Sequence, residues 1–225
     1  MIAKRNGNGT GNGANHGNGN GTHGVVTHAS IPHEPPIHAP PGEPAPGPPA
    51  PASTMLAARS MSTSRVELPF EARRKLVGVL QIALATSLDL HSQVKQAHWN
   101  VVGPHFISYH ELFDRIAAHA DAWADLIAER SATLGGVPQG TVRQCATLTQ
   151  LPDYALGVAE GPAHVEALSL RLQIYCARLR EAADAMDRDD LRDLATQDLA
   201  VQILREAELD LWFLDKHTQH APAAT

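Results

Sequence analysis

Leu76, Val79, Leu80, Ile82, Leu84, Leu88 and Leu90 return every few residues, the spacing of one face of an α-helix. The pattern begins near residue 67 and predicts a helix to about residue 100, where Val101-Val102-Gly103-Pro104 breaks it. A second helix is predicted over 106–134, stopped by Gly135-Gly136 and then Pro138. Residues 137–160 read as irregular, with one short helix near 148–155. Pro162 suits a first helical turn, so a third long helix is predicted from there to about residue 186. Residues 187–190 read as a turn, and a fourth helix follows over 191–217. No segment carries a strand pattern. Four helices of roughly 25–30 residues predict an all-α four-helix bundle. The connection between the second and third is too long for a tight hairpin and fits a crossover along the bundle.

Composition divides the chain of 225 residues. Residues 1–65 hold 10 of the 17 Gly, 10 of the 16 Pro and no Trp, Tyr or Phe, so they cannot bury a core. The stretch 6–24 alternates Gly with Asn, Thr and His, and 32–51 is Pro-rich. Both parts are expected to be disordered, the second stiffer than the first. Residues 66–220 form the expected folded domain, and 221–225 a short C-terminal tail. His16, His23, His28, His33 and His38 recur along the N-terminal tail, either as incidental polar residues or as weak transition-metal captors. Cys145 and Cys176 match no disulfide scaffold or zinc pattern and read as reduced thiols in a cytosol. No apolar run reaches the ~18 residues of a membrane span, and Lys4-Arg5 precedes no apolar signal core.

Charge is uneven. The tail carries Lys4, Arg5, Arg59 and Arg65 against Glu34 and Glu43, a net of +2. The remainder carries 14 basic against 22 acidic residues, a net of −8. An acidic body repels phosphate and collects cations.

The second helix holds His110, Asp114, Asp125 and Glu129, which fall within about 100° of one another around the axis. Four ionisable groups on one face need partners if the face is covered. The basic residues along the same helix, Arg115 and Arg130, point elsewhere, which leaves a divalent cation as the partner; imidazole with carboxylates suits Fe, Mn or Zn. His110/Asp114 and Asp125/Glu129 are centred about 22 Å apart along the helix, whereas paired metals lie roughly 3.5–4 Å apart. One chain therefore cannot close a single site with both pairs. A two-fold axis near residues 119–120 brings Asp125 and Glu129 of a second copy beside His110 and Asp114, giving two identical sites per dimer. Ala117, Ala118 and Ala128 on this face permit close approach, and Asp121 lies there without an assigned role. His98 ends the first helix, and a hairpin carries it alongside His110; it reads either as a core histidine or as a fifth ligand. No Glu-x-x-His motif is present, which disfavours a di-iron site inside one bundle.

The run Lys95-Gln-Ala-His98-Trp99-Asn100-Val101-Val-Gly103-Pro104-His-Phe106, followed by His110-Glu-Leu-Phe-Asp114, Asp125-Leu-Ile-Ala-Glu129-Arg130 and Leu134-Gly-Gly136, resembles the Dps family, the mini-ferritins also called DNA-binding proteins from starved cells. The likeness continues more loosely through Asp193-Leu-Ala-Thr-Gln-Asp198 and Leu211-Trp212-Phe213-Leu214. It implies a ferritin-like bundle in a hollow homododecamer. It also implies a di-iron ferroxidase centre at each two-fold interface, with His98, His110 and Asp114 from one subunit and Asp125 and Glu129 from its mate. Trp99 stands at the family's tryptophan beside the centre, an acceptor of oxidising equivalents; plain packing at a helix end is the other reading. Asp193 and Asp198 stand where the family places acids near three-fold pores; acids serving a helix dipole explain them equally well.

The implied activity is oxidation of Fe(II), preferably by hydrogen peroxide, and storage of Fe(III) as mineral in the cytoplasm. The alternatives are a nucleoid-associated DNA compactor with secondary iron chemistry, a static zinc clamp, or a ferritin using oxygen. The tail is too weakly basic for strong DNA binding at neutral pH, although twelve copies add avidity. Protonation of its five histidines would take its net charge from +2 toward +7. Gel shifts with full-length and tail-deleted protein should show little DNA binding near neutral pH and tail-dependent binding in mildly acid, low-salt buffer. Tight binding at about pH 8 in roughly 150 mM salt would contradict this charge argument.

Overall fold

The computed structural model of the chain describes residues 61–188 and 190–218. Among them are α1 (Phe70–Asn100), α2 (Phe106–Thr133), α3 (Val142–Leu148), α4 (Gly161–Met186) and α5 (Leu194–Thr218). Extended pairing among the described residues is confined to one isolated parallel bridge, Val102 with Glu160. The four long helices form the expected bundle, in which α1 packs chiefly on α2, and α4 on α5. No described helix is long and apolar enough to cross a membrane.

Core positions follow the sequence periodicity: Leu76, Leu80, Leu84 and Leu90 of α1 are buried with Phe113, Ile116, Ala120 and Ile127 of α2. Each such Leu or Ile contributes about 1.5–3 kcal/mol relative to exposure. Small residues fill much of this space, yet aromatics hold its middle. Trp123 and Tyr175 stack with ring centroids 5.7 Å apart. Their polar tips are satisfied, because Trp123 Nε1 donates to Glu206 at 2.7 Å and the Tyr175 hydroxyl meets Ser87 Oγ at 2.7 Å.

The end of α2 is a Schellman turn. Gly135 N donates to Ala132 O and Gly136 N to Ser131 O, and Gly135 takes φ +92°. A side chain at Gly135 would be strained by that φ and would also press on the Ser62 carbonyl. Arg73, buried, donates to Leu134 O at 2.9 Å and places its cation at the negative end of α2. Residues 61–65, expected within the tail, are seated on this corner: Ser62 N donates to Gly135 O at 2.7 Å and Ser64 Oγ to Thr133 O at 2.8 Å. Expectations for residues 1–60 and 221–225, the tail histidines included, fall outside the described residues.

The crossover departs from the sequence reading. Its helix is Val142–Leu148 rather than 148–155. Pro152 explains this: it removes a backbone donor and disfavours helix at the residue before it. Polar clamps hold the remaining loop. Thr149 Oγ1 donates to Asp89 at 2.7 Å, Gln93 Nε2 to Pro152 O at 3.1 Å, and Arg171 to Asp153 O at 2.7 Å. Gln81 pairs with the Gln139 backbone in both directions. Loop groups near the core are thereby satisfied by side chains instead of a ladder.

α5 begins three residues later than periodicity indicated because Asp193 caps it. Its backbone carbonyl accepts from Gln197 N at 3.0 Å, and its carboxylate accepts from Thr196 Oγ1 and, at 2.6 Å, from Arg130. Burial pushes the Asp193 carboxyl up, but the Thr196 hydroxyl, the Arg130 guanidinium and the Ala195 amide together hold it below the usual range. A depressed carboxyl stabilises the fold above its unfolded pKa, and that contribution fades as pH falls through the lower folded value. Asp193→Ala should therefore cost about 2 kcal/mol at neutral pH, combining a lost cap with a lost charge-assisted bond. Denaturant melts should show the gap between wild type and variant closing below about pH 4.

Candidate metal centre

Gly103, at φ +118°, and Pro104 turn the chain between α1 and α2, so the last turn of one helix faces the first turn of the next. His98 and His110 meet there, with ring centroids 3.7 Å apart and planes inclined by 23°. Each ring bonds the other residue's backbone: His98 Nδ1 to His110 O at 2.9 Å, and His110 Nδ1 to His98 O at 3.0 Å. A carbonyl only accepts, so each Nδ1 carries a proton, and Nε2 is the nitrogen of each ring left for a ligand. The exchange also satisfies the His98 carbonyl, one of the last four of α1, which has no intrahelical partner.

Asp114 lies one turn beyond His110, its Oδ1 3.8 Å from His98 Nε2. The same oxygen accepts from Lys95 Nζ at 2.7 Å. The hydrogen bond and charge of Lys95 hold the Asp114 carboxyl below its usual range. The basic partner of Asp114 therefore comes from α1 and not from α2, contrary to the expectation that a divalent cation alone could pair with it. Arg115 and Arg130 are indeed directed away, to Asp210 and Asp193, but Lys95 reaches Asp114 from α1. The i, i+3 spacing of Lys95 and His98 puts both on one face of α1, and that signal was available in the sequence.

Asp125 and Glu129 lie exposed on the same face of α2, about 22 Å further along. Neither carboxylate has an ion pair or hydrogen bond among the described residues. The face is opposite the core side of the helix rather than a seam within the bundle. A shallow groove of about 510 Å3 runs beside it, lined by Leu84, Leu88, Ala118, Asp121, Asp125 and Ala128. The hairpin thus brings together His98, His110 and Asp114, and leaves Asp125 and Glu129 distant within one chain. Among the described residues no three His, Cys, Asp or Glu side chains are gathered about one metal position.

Trp99 is 69% exposed, with Lys95 Nζ 5.9 Å from its ring centroid, so packing within its own bundle does not account for it. Asp193 is committed to the α5 cap and Arg130, while Asp198 is exposed. Two groups that the sequence reading left without a role are drawn together by tertiary structure: Asp210, fully buried, accepts from His119 Nδ1 at 2.7 Å. Burial pushes the Asp210 carboxyl up, against the pull of His119 and Arg115.

A family model described as a ferritin-like domain matches residues 78–224. A protein of Agrobacterium fabrum named DNA protection during starvation protein is 36% identical over 153 residues, covering 68% of this chain and 93% of that one. A Mycolicibacterium smegmatis protein of the same name is 36% identical over 143 residues, covering 64% and 76%. Among solved structures, DpsA14 from Streptomyces coelicolor superposes with a TM-score of 0.68 at 36% identity, covering 74% of this chain and 98% of that one. The tetragonal form of Mycobacterium smegmatis Dps gives 0.67 at 34% identity, covering 71% and 95%. With the fold, the paired histidines and these relatives in agreement, the chain belongs to the Dps family of ferritin-like proteins.

Proposed function

We propose that the protein is a ferroxidase and iron store. It takes up Fe(II) at sites shared by two antiparallel α2 helices, oxidises it and holds the Fe(III) product inside a dodecameric shell. The observation that carries this reading is the tautomer lock at His98 and His110. Both rings present Nε2, that of His98 3.8 Å from Asp114, and the unpaired Asp125 and Glu129 lie on the same helix face a subunit's reach away. A two-fold axis near residues 119–120 closes the set, with Asp125 and Glu129 supplied by the partner subunit.

Carboxylates favour the more highly charged ion and so drive oxidation. With hydrogen peroxide, two Fe(II) each give up one electron, the O–O bond breaks, two protons are taken up, and two waters leave. Delivering both electrons from one site avoids hydroxyl radical. The acidic body favours cation entry and mineral growth. Lys95 is the competitor at Asp114: an ammonium held 2.7 Å from the carboxylate must yield before that oxygen serves a metal. Protection of DNA follows from removal of Fe(II) and peroxide in the cytoplasm and does not require DNA contact.

Asp125→Ala should lower the rate of Fe(II) oxidation at least ~10-fold, read as ferric absorbance after peroxide or oxygen is added, with solution mass measured on the same preparation. Comparing the two oxidants on wild type sets their order. A stable monomer, or oxidation unaffected by Asp125→Ala, would sink the shared site. Tight Zn(II) binding without Fe(II) oxidation would favour the static clamp.

A further inference from the structure

The crossover returns to the bundle against the back of the histidine hairpin. Val102 N donates to Ala159 O at 2.9 Å, and Val102 pairs with Glu160 in the isolated bridge. Gly161, the first residue of α4, lies so close to Tyr109 that a Cβ there would overlap its ring. Tyr109 has little freedom to move aside: it is buried, stacked 6.0 Å from Phe113 and tilted against the His217 ring at 5.1 Å, and it immediately precedes His110.

One turn into α4, His164 is fully buried beneath the same hairpin. Its ring lies 6.2 Å from Phe113, the residue before Asp114, and is near enough to the backbone of Asn100, two residues after His98, to feel its electrostatic pull. The Tyr154 hydroxyl sits 2.7 Å from His164 Nδ1. Burial pushes the Tyr154 phenol up to about 12, against the pull of Arg171, so the hydroxyl keeps its proton and shares one hydrogen bond with Nδ1. Burial likewise pushes His164 down, toward the neutral ring. Nε2, the nitrogen not engaged by Tyr154, reaches the Asn100 backbone only beyond ordinary hydrogen-bond length. A buried ring nitrogen left in this state costs free energy, so stability alone does not explain a histidine here.

We propose that Gly161 and His164 are positioning residues for the metal centre, Gly161 setting His110 through the Tyr109 ring and His164 setting the end of α1 through Asn100. The inference rests on the metal-binding reading of His98 and His110. Neither residue touches the metal position; they act on the backbone whose carbonyls hold both imidazoles. A methyl at Gly161 displaces Tyr109 and with it His110, which opens the 3.0 Å bond to His98 O.

The test uses the full-length protein and two readouts. The first is amide hydrogen exchange of peptides spanning residues 98–110 in metal-free protein, with α2 residues 123–133 as internal control. The second is Co(II) binding followed by its visible d–d bands. Gly161→Ala and His164→Leu should speed exchange in 98–110 about 10-fold with the control unchanged. They should also weaken Co(II) binding roughly 10-fold and alter its band shape, in the range seen when support behind a ligand is lost. His164→Gln, which keeps a donor and an acceptor, should stay within about 3-fold of wild type. If Gly161→Ala fails to fold, Gly161→Ala with Tyr109→Leu removes the struck ring; it should fold, yet still bind Co(II) more weakly. Normal exchange in 98–110 for the folded variants would overturn the proposal. Wild type that binds no Co(II) would defeat the metal reading instead, and the exchange data would still decide whether the two residues hold the hairpin.

Discussion

Two imidazoles that each donate to the other's backbone carbonyl are the interaction on which the proposed metal chemistry depends. The bond at His98 O closes an open helix end, and the bond at His110 O anchors the first helix on the second. The same pair of bonds decides which nitrogen of each ring is left for a ligand. Stability and ligand presentation are therefore one constraint. A change that loosens the hairpin frees both rings to turn, and a change that removes either ring leaves a helix-terminal carbonyl seeking a partner.

Charge placement follows from the cost of burial. The bundle core is apolar and aromatic, so ionisable residues that border it are either moved outward or paired. Asp193 and Asp210, which sit inside, have Arg130 and His119 as partners. Asp125 and Glu129 have none and remain exposed on the outer face. Carboxylates without partners on a face lined with alanine are stable in a single subunit, where water solvates them. Two such faces pressed together would need a cation between them. Lys95 supplies a local cation for Asp114 only, which sets that carboxylate apart from the other two.

The crossover does more than join two hairpins. Its loop polar groups are met by Asp89, Gln93 and Arg171, side chains projecting from α1 and α4, and its last residues return under the α1–α2 turn. A long connection can hold one conformation only where its backbone groups find such partners. The consequence is that Ala159 and Glu160, distant from Val102 in sequence, border the turn that carries the paired histidines.

Much of this was legible along the chain because helices are local. The 3.6-residue period of Leu76 through Leu90, the glycine pair at Gly135-Gly136 and the breaks at Gly103-Pro104 are written in consecutive residues, and the four long helices follow from them. The common face of His110, Asp114, Asp125 and Glu129 is equally local, being the angle each residue takes around one axis. Tertiary structure decided what joins residues distant in sequence. It gave Asp114 a lysine from another helix, Asp193 an arginine 63 residues away and Asp210 a histidine 91 residues away, and it placed the crossover helix before Pro152 instead of across it. Rotamers, tautomers and ion pairs depend on which surfaces meet, and only packing settles which surfaces those are.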